Sequence, residues 1–501
     1  MSRTGRHVNR SPARRVFDRL RNLRVRFLTD LFVLSGGQIF GMIVGFLVFA
    51  YLARVLGPVA YGNIEYGMGL VAFFTMIVTW GLGPIGVRDF SRNRDNVPRL
   101  AAHIPSARLV IALLAVPAMG LMVHFSQQSE STKLLVWLLA FSLLGTVWNQ
   151  DWLFQGHEMM GKAALARMVR VVVFALVAVV LIHSDSDVVL FGYAEIAAAI
   201  AMALYCAGVQ HLMITPVRFG FSIREIWYLL RQGASIGGSQ VLWSFNQYLP
   251  LFLVANMIGG DETAWFGASH RVAISLATLS WVYHFNLYPS IARRVSDSPE
   301  ALDALLRASF RVTSWVGVGI GLVLALLANP LMTTAFGSEF KAAAPVFAVL
   351  VWVVPVTLLS GHGQWTLIAS GRQSSVLYAQ IAGAAVTLIV AVPLLHHYKA
   401  MGAAFAMLAA TVAVWAAMHI GASKLVGKMP ALEFLWWPVV LALALGTTSS
   451  LFDLSPWVAG GISGALYFCL APVVDRRSLA ALRLLARAKG DVGTGNPPPP
   501  S

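Results

Sequence analysis

Residues Leu31 to Ala53 read LFVLSGGQIFGMIVGFLVFAYLA, a run without a charged side chain. An α-helix rises about 1.5 Å per residue, so about 20 such residues cross the hydrocarbon of a bilayer. Nine arginines between Arg3 and Arg26 precede the run. A signal peptide also starts basic, but its apolar part is shorter and ends at a small-residue cleavage site. The run therefore predicts a retained first membrane span.

Similar blocks recur along the chain and predict spans at 31–53, 65–86, 104–124, 133–153, 165–182, 188–211, 234–258, 268–291, 312–334, 345–368, 376–396, 400–421, 435–451 and 456–474. The fold class is then an all-α polytopic membrane protein with about 14 transmembrane helices. Composition agrees: 57% of the 501 residues are hydrophobic and 12% charged, with a mean hydropathy of +0.70. A soluble fold could not hide that much apolar surface. The formal charge of +15 does not point to nucleic acid. No nucleic-acid motif fits, and the basic residues sit in short loops where membrane topology and anionic lipid account for them.

If the N-terminus is cytoplasmic, alternation places all but five of the 37 Lys and Arg residues on that side; the five are Arg54, Lys133, Arg271, Lys341 and Lys399. The positive-inside rule gives this pattern for an even number of spans with both termini inside. An internal echo divides the chain. Gly36-Gly37-Gln38, the turn Gly57-Pro58-Val59-Ala60-Tyr61-Gly62 and Arg88-Asp89 are answered, in order, by Gly237-Gly238-Ser239-Gln240, Gly259 to Gly267 and Arg293-Arg294. The expected organisation is a basic cytoplasmic arm (1–30), a six-helix bundle (31–215), a second six-helix bundle in the same orientation (216–425), an extra helix pair (430–475) and a disordered cytoplasmic tail (476–501). Repeated halves around a central site are the anatomy of alternating access.

No phosphate-binding GxxxxGK[ST], dinucleotide GxGxxG or zinc HExxH motif is present. Cys206 and Cys469, each alone in an apolar segment, form no CxxC. We expect no enzyme, no metal site and no cofactor. Ionisable groups at membrane depth are more informative, because each costs about 2.5 to 3.5 kcal/mol at a helix centre when it faces lipid. Asp151, Glu195 and His284 are candidates for coupling to a proton or sodium gradient; satisfied interhelical hydrogen bonding is the competing reading. Gln38, Gln240 and Asn246 are candidate substrate contacts in the opening spans of the two halves. Arg54 and Arg271 join them as cations on the side poor in charge, where a phosphate or acidic glycan would find charge-assisted donors. Arg88 is the last candidate, with snorkelling at a span end as the alternative.

The segments Ser35-Gly36-Gly37-Gln38, Leu56-Gly57-Pro58-Val59-Ala60-Tyr61-Gly62, Gly81-Leu82-Gly83 leading to Arg88-Asp89, and Asp151-Trp152-Leu153-Phe154-Gln155-Gly156-His157-Glu158-Met159 resemble the polysaccharide biosynthesis, or O-antigen flippase, family. That family lies within the multidrug, oligosaccharidyl-lipid and polysaccharide exporter superfamily. Ala369-Ser370-Gly371-Arg372 resembles its second-half counterpart. The resemblance covers about residues 30 to 425. It implies two six-helix bundles around a V-shaped cavity in the cell inner membrane. It also implies a substrate, undecaprenyl-pyrophosphate-linked glycan, moved from the cytoplasmic to the periplasmic leaflet for exopolysaccharide, capsule or O-antigen synthesis. A polymerase, a chain-length regulator and glycosyltransferases would be pathway partners. Arg54 and Arg88 are the positions the resemblance offers for the pyrophosphate.

Two rivals stay open. A multidrug and cation antiporter of the same superfamily would favour acidic and aromatic cavity residues. A membrane-embedded glycosyltransferase or polymerase would show catalytic carboxylates and large external loops, whereas every predicted external loop is short.

Overall fold

The computed structural model describes the backbone of residues 12–427, 431–452 and 454–491, with side chains between 37 and 485 except 38, 39, 296, 297, 299, 428–430, 432 and 453. The described residues form helices and turns and contain no strand. The first apolar run lies in α1 (Pro12–Thr79), two helical limbs joined at Gly57. There φ is 69°, a conformation that a Cβ would penalise. Pro58 opens the second limb, where its missing N–H costs nothing. Trp80 and Gly81, with φ of 43° and 66°, end that limb, and α2 (Leu82–Arg92) leaves at a new angle.

The first half continues through α3 (Val97–His124), α4 (Glu130–Thr146), α5 (Asp151–Gly156), α6 (Met160–Leu181) and α7 (Leu190–Met213). The span expected at 133–153 is thus two helices separated at Val147–Gln150. The second half opens with two long helices, α8 (Ile223–Met257) and α9 (Gly260–Asp297). After them come α10 (Pro299–Leu326), α11 (Ala328–Phe336), α12 (Ala343–Leu350), α13 (Val353–Ala369) and α14 (Gln373–Val426). The last of these breaks at Lys399, where φ is 50°. Glu262, in the first turn of α9, accepts from the Ala400 N–H at 3.1 Å and lies 3.5 Å from Lys399 Nζ, which holds that break. The chain closes with α15 (Ala431–Leu451), α16 (Pro456–Val474) and α17 (Arg477–Asp491).

Helices α1, α3, α4, α6 and α7 pack on one another, and α8, α9, α10, α12, α13 and α14 form a second packed group; α15, α16 and α17 lie against α10. The surface is apolar where a soluble protein would be polar: Leu114 and Val180 are 68% exposed and Ile389 72%. Exposed large side chains of this kind along long helices belong to lipid-facing surfaces. Ten helical stretches among the described residues are long and apolar enough to cross a membrane. Two of them, Phe40–Arg92 and Gln373–Val426, contain the backbone breaks just described.

The segment from 476 onward departs from the expected disordered tail, because α17 is helical over Arg477–Asp491. Ser478 and Ala481 are buried, and Leu485 packs on the cluster around Leu302, Leu305 and Leu306 of α10. The arginines in this stretch hid a narrow apolar stripe at helical spacing that this element of about four turns buries in part.

Candidate functional site

The two packed groups meet along the second limb of α1, which lies against both α8 and α9. At its Gly57 end the approach is very close. A Cβ on Gly62 would stand 3.0 Å from the Ala264 nitrogen, and one on Gly267 only 2.6 Å from the Glu65 Cβ. Glycine at both positions lets the helices touch backbone to side chain. One turn along α9 from Gly267, Arg271 donates from Nε to Glu65 Oε1 at 2.6 Å and from Nη2 to Glu65 Oε2 at 2.9 Å. Its guanidinium also lies 3.4 Å from the centre of the Phe49 ring. Glu65 is 3% exposed, so this is a bidentate, stacked and buried pair between the halves.

The turn beside it is clasped as well. Arg54 donates to the Thr334 carbonyl, and Tyr61 meets Phe336 and Phe340 edge-on at 6.0 and 5.4 Å. The largest apolar cluster accordingly runs without interruption from Leu52, Tyr61 and Ile64 into Ala264, Ala268, Phe336 and Phe340.

The other end of the limb closes differently. The backbone of Trp80 and Gly81 crosses α8 at Gly233 and Gly237, and a Cβ on Gly237 would lie 2.8 Å from the Trp80 carbonyl carbon. Trp80 Nε1 donates to the Leu230 carbonyl at 3.0 Å. Arg88 donates to its neighbour Asp89 at 2.8 Å and reaches Gln232 at 3.5 Å. The Arg99–Glu225 ion pair, at 2.6 Å, joins α3 to α8 nearby. Between the two ends Phe73, Tyr66 and Gly69 pack on Phe245, Tyr248 and Phe252.

The candidate residues do not gather in one place. Arg54 and Arg271 belong to the Gly57 end of the seam and Arg88 to the Gly81 end. Gln240 is half-buried on α8. Asn246, buried on the same helix, donates to the backbone carbonyl and side-chain oxygen of Gln380, both at 2.8 Å, which ties α8 to α14. Gln38 lies outside the described side chains. In the first group, Glu195 is buried and paired with Arg170 at 2.7 Å. Asp151 opens α5 beside Arg167, at 3.7 Å. His284 is buried between α9 and α13.

Other polar groups of the interior were not singled out from the sequence. Arg108, near the start of the predicted span 104–124, is buried within α3 and donates to the Asn149 carbonyl at 2.5 Å. Gln150 and Gln210, both fully buried, bond to each other at 2.9 Å. His362 is flanked by Gly361 and Gly363 inside α13; a histidine in an apolar block was the available signal. Among the described residues no group of three or more His, Cys, Asp or Glu side chains is placed to hold a metal ion. A separate cavity of about 570 Å³, lined by Phe90, Arg94, His157 and Glu158 among others, lies beside α2 and the α5–α6 turn.

The family described as "Polysaccharide biosynthesis protein" matches residues 27–283, just over half of the chain. The succinoglycan biosynthesis transport protein ExoT of Rhizobium meliloti (strain 1021) is 25% identical over 382 residues, which cover 71% of this chain and 74% of that one. Among solved structures, the lipid II flippase MurJ in an inward closed conformation superposes with a TM-score of 0.72 at 12% identity, covering 89% of this chain and 99% of that one. An inward-facing multidrug resistance MATE transporter superposes with a TM-score of 0.59 at 15% identity, covering 83% and 99%. The structural likenesses establish a shared fold.

Proposed function

Because the chain belongs to the polysaccharide biosynthesis protein family, we propose that it is a flippase, a transporter that moves a polyprenyl-pyrophosphate-linked oligosaccharide across the cell inner membrane. A glycan head cannot enter hydrocarbon, because each hydroxyl would lose hydrogen bonds to water; a polyprenyl tail stays there at no cost. Transport needs a polar path for the head beside a lateral opening for the tail. The observation that carries the reading is the character of α8 and α9. Both are long enough to cross, yet neither is among the stretches apolar enough to do so. They carry the polar side chains Gln240, Gln247, His270 and Arg271 along their length, and α9 leaves Trp281 and Phe285 exposed as a stacked pair with centroids 4.9 Å apart.

In this reading the two broken apolar stretches each cross twice. With α8 and α9 they make fourteen spans, arranged as six-helix halves over 31–215 and 216–425 and an added pair over 430–475. Both termini are cytoplasmic, so the Gly57 end of the seam faces the periplasm and the Gly81 end the cytoplasm. Rocking of the halves opens one end while the other stays latched. A proton or sodium gradient drives the cycle, with Asp151, Glu195 and His284 as the coupling candidates and no cofactor. Arg54, Arg88 and Arg271 then become free to meet the pyrophosphate in turn. Glycosyltransferases supply the substrate, and a polymerase with its chain-length regulator consumes it.

Deleting the gene tests this. The strain is expected to lose surface or secreted polysaccharide and to accumulate the lipid-linked repeat unit on the cytoplasmic face. The fold shared with a MATE transporter favours drug and cation antiport as the second reading. An unchanged lipid-linked sugar distribution with altered drug tolerance would select it.

A further inference from the structure

His284 and His362 are both fully buried, on α9 and α13, with ring centroids 4.8 Å apart and planes at 88°. The pair is a built feature. A Cβ on Gly361 would stand 2.4 Å from His284 Cε1, so glycine there is what admits the ring. The hydrogen bonds assign the two imidazoles. His284 Nδ1 lies 2.8 Å from the Ser280 carbonyl and therefore carries the proton it donates. Its Nε2 is then a bare lone pair, buried and without a hydrogen-bond partner among the described residues. His362 Nδ1 faces the Leu359 carbonyl at 3.3 Å, and its Nε2 accepts from Ser309 Oγ at 2.7 Å. Ser309 in turn takes the Tyr283 hydroxyl at 2.6 Å. The titratable neighbours are Tyr283 on α9, His362 on α13 and His419 on α14, while α10 contributes the Ser309 hydroxyl.

We propose that His284 and His362 form a proton-binding site in the second half of the molecule, and that its occupancy drives the seam. The inference rests on the transport reading and narrows its coupling ion to the proton. One proton taken from water on one side adds to His284 Nε2 and gives an imidazolium. The same proton leaves to water on the other side, and no bond between heavy atoms changes. Imidazole is the side chain whose charge changes near neutral pH. A charge added at this depth must be met by water or by rearranged neighbours, so it alters how α9 seats on α13. The same helix carries Arg271, thirteen residues before His284, about 20 Å along its axis. A shift of α9 is therefore felt at the Glu65–Arg271 pair, which makes α9 an element that both proton and seam can bias.

The test uses the full-length chain labelled with ¹⁵N-histidine in lipid bilayers, titrated without substrate and followed by solid-state NMR. One of the two imidazoles is expected to convert to imidazolium as the pH is lowered. His362→Gln should abolish or displace that conversion at His284, and Tyr283→Phe, which removes only a hydroxyl, should shift its midpoint. In a null strain, His284→Gln and His362→Gln should lower polysaccharide export about ten-fold at normal protein abundance, within the usual 5- to 150-fold span of a coupling free energy. Two neutral imidazoles throughout the titration would overturn the proposal. So would a His284→Gln, His362→Gln double variant that exports at the wild-type rate and stays sensitive to a protonophore. If the unaltered chain fails to restore export, the transport reading itself fails, and the titration still judges the proton site.

Discussion

The guanidinium of Arg271 is held by the two hydrogen bonds it donates to one carboxylate and by the face of Phe49, and every one of these contacts crosses from one half of the molecule to the other. Removing one partner of a buried pair leaves the other charge uncompensated, at about 3–5 kcal/mol. Glu65→Gln is therefore expected to loosen the Gly57 end of the seam. A cysteine placed by Thr263→Cys, buried here, should become reactive to a membrane-impermeant maleimide. The exchange Glu65→Arg with Arg271→Glu should restore protection, and protection that survives Glu65→Gln alone would show that the pair does not hold the seam. Arg54→Ala should reduce export at normal abundance, and an unchanged rate would remove Arg54 from the path. At this scale the sequence was informative in part. Arg271 stood out as a cation on the side poor in charge, but its partner lies 206 residues away and no spacing rule joins them. His362 and Arg108 were passed over because each sits in a predicted span and the sequence does not show what surrounds its side chain.

The breaks are the informative elements. Trp80 and Gly81 end the second limb of α1 where their backbone crosses Gly233 and Gly237. Overpacking such a crossing costs about 1–3 kcal/mol. Gly237→Val should lower export at normal abundance, while Gly238→Val, with nothing within 4 Å of its Cβ, should leave it unchanged. Equal export by the two variants would remove the crossing from the mechanism. At the other margin Asp475 links α16 to α10 by accepting from Arg311 at 2.7 Å and from Trp315 Nε1 at 3.1 Å. Asp475→Asn is expected to cost about 1.5–3 kcal/mol, the range for hydrogen bonds to a charged group. Thermal denaturation of the purified protein would read this as a lower midpoint, with transport per molecule retained. Hydropathy located these helices well because lipid forces long apolar runs. The gaps between predicted spans fell on the breaks at Gly57 and Lys399, but not on the one at Trp80, whose left-handed backbone is imposed by tertiary contacts and not by local preference. Hydropathy also missed α17, whose arginines outweigh its narrow apolar stripe.

For the whole molecule, the membrane class and the family were legible in composition, block length and the motifs between Ser35 and Met159, because each reflects a constraint written locally in the chain. The seam was not, because it joins segments roughly 200 residues apart whose approach depends on small residues common in any membrane helix. The account stands on that seam opening at each end in turn around a sugar headgroup. Gly62 and Thr263 offer a lock: a Cβ on Gly62 would lie 3.3 Å from the Thr263 Cβ, close to the distance a disulfide spans. Gly62→Cys with Thr263→Cys, in a strain lacking the native chain, allows the Gly57 end to be closed by oxidant and released by reductant in the same cells. Oxidation should halt polysaccharide export and build up the lipid-linked repeat unit on the cytoplasmic face, and reduction should clear it, with neither single variant responding. Undiminished export with the cross-link fully formed would contradict the account.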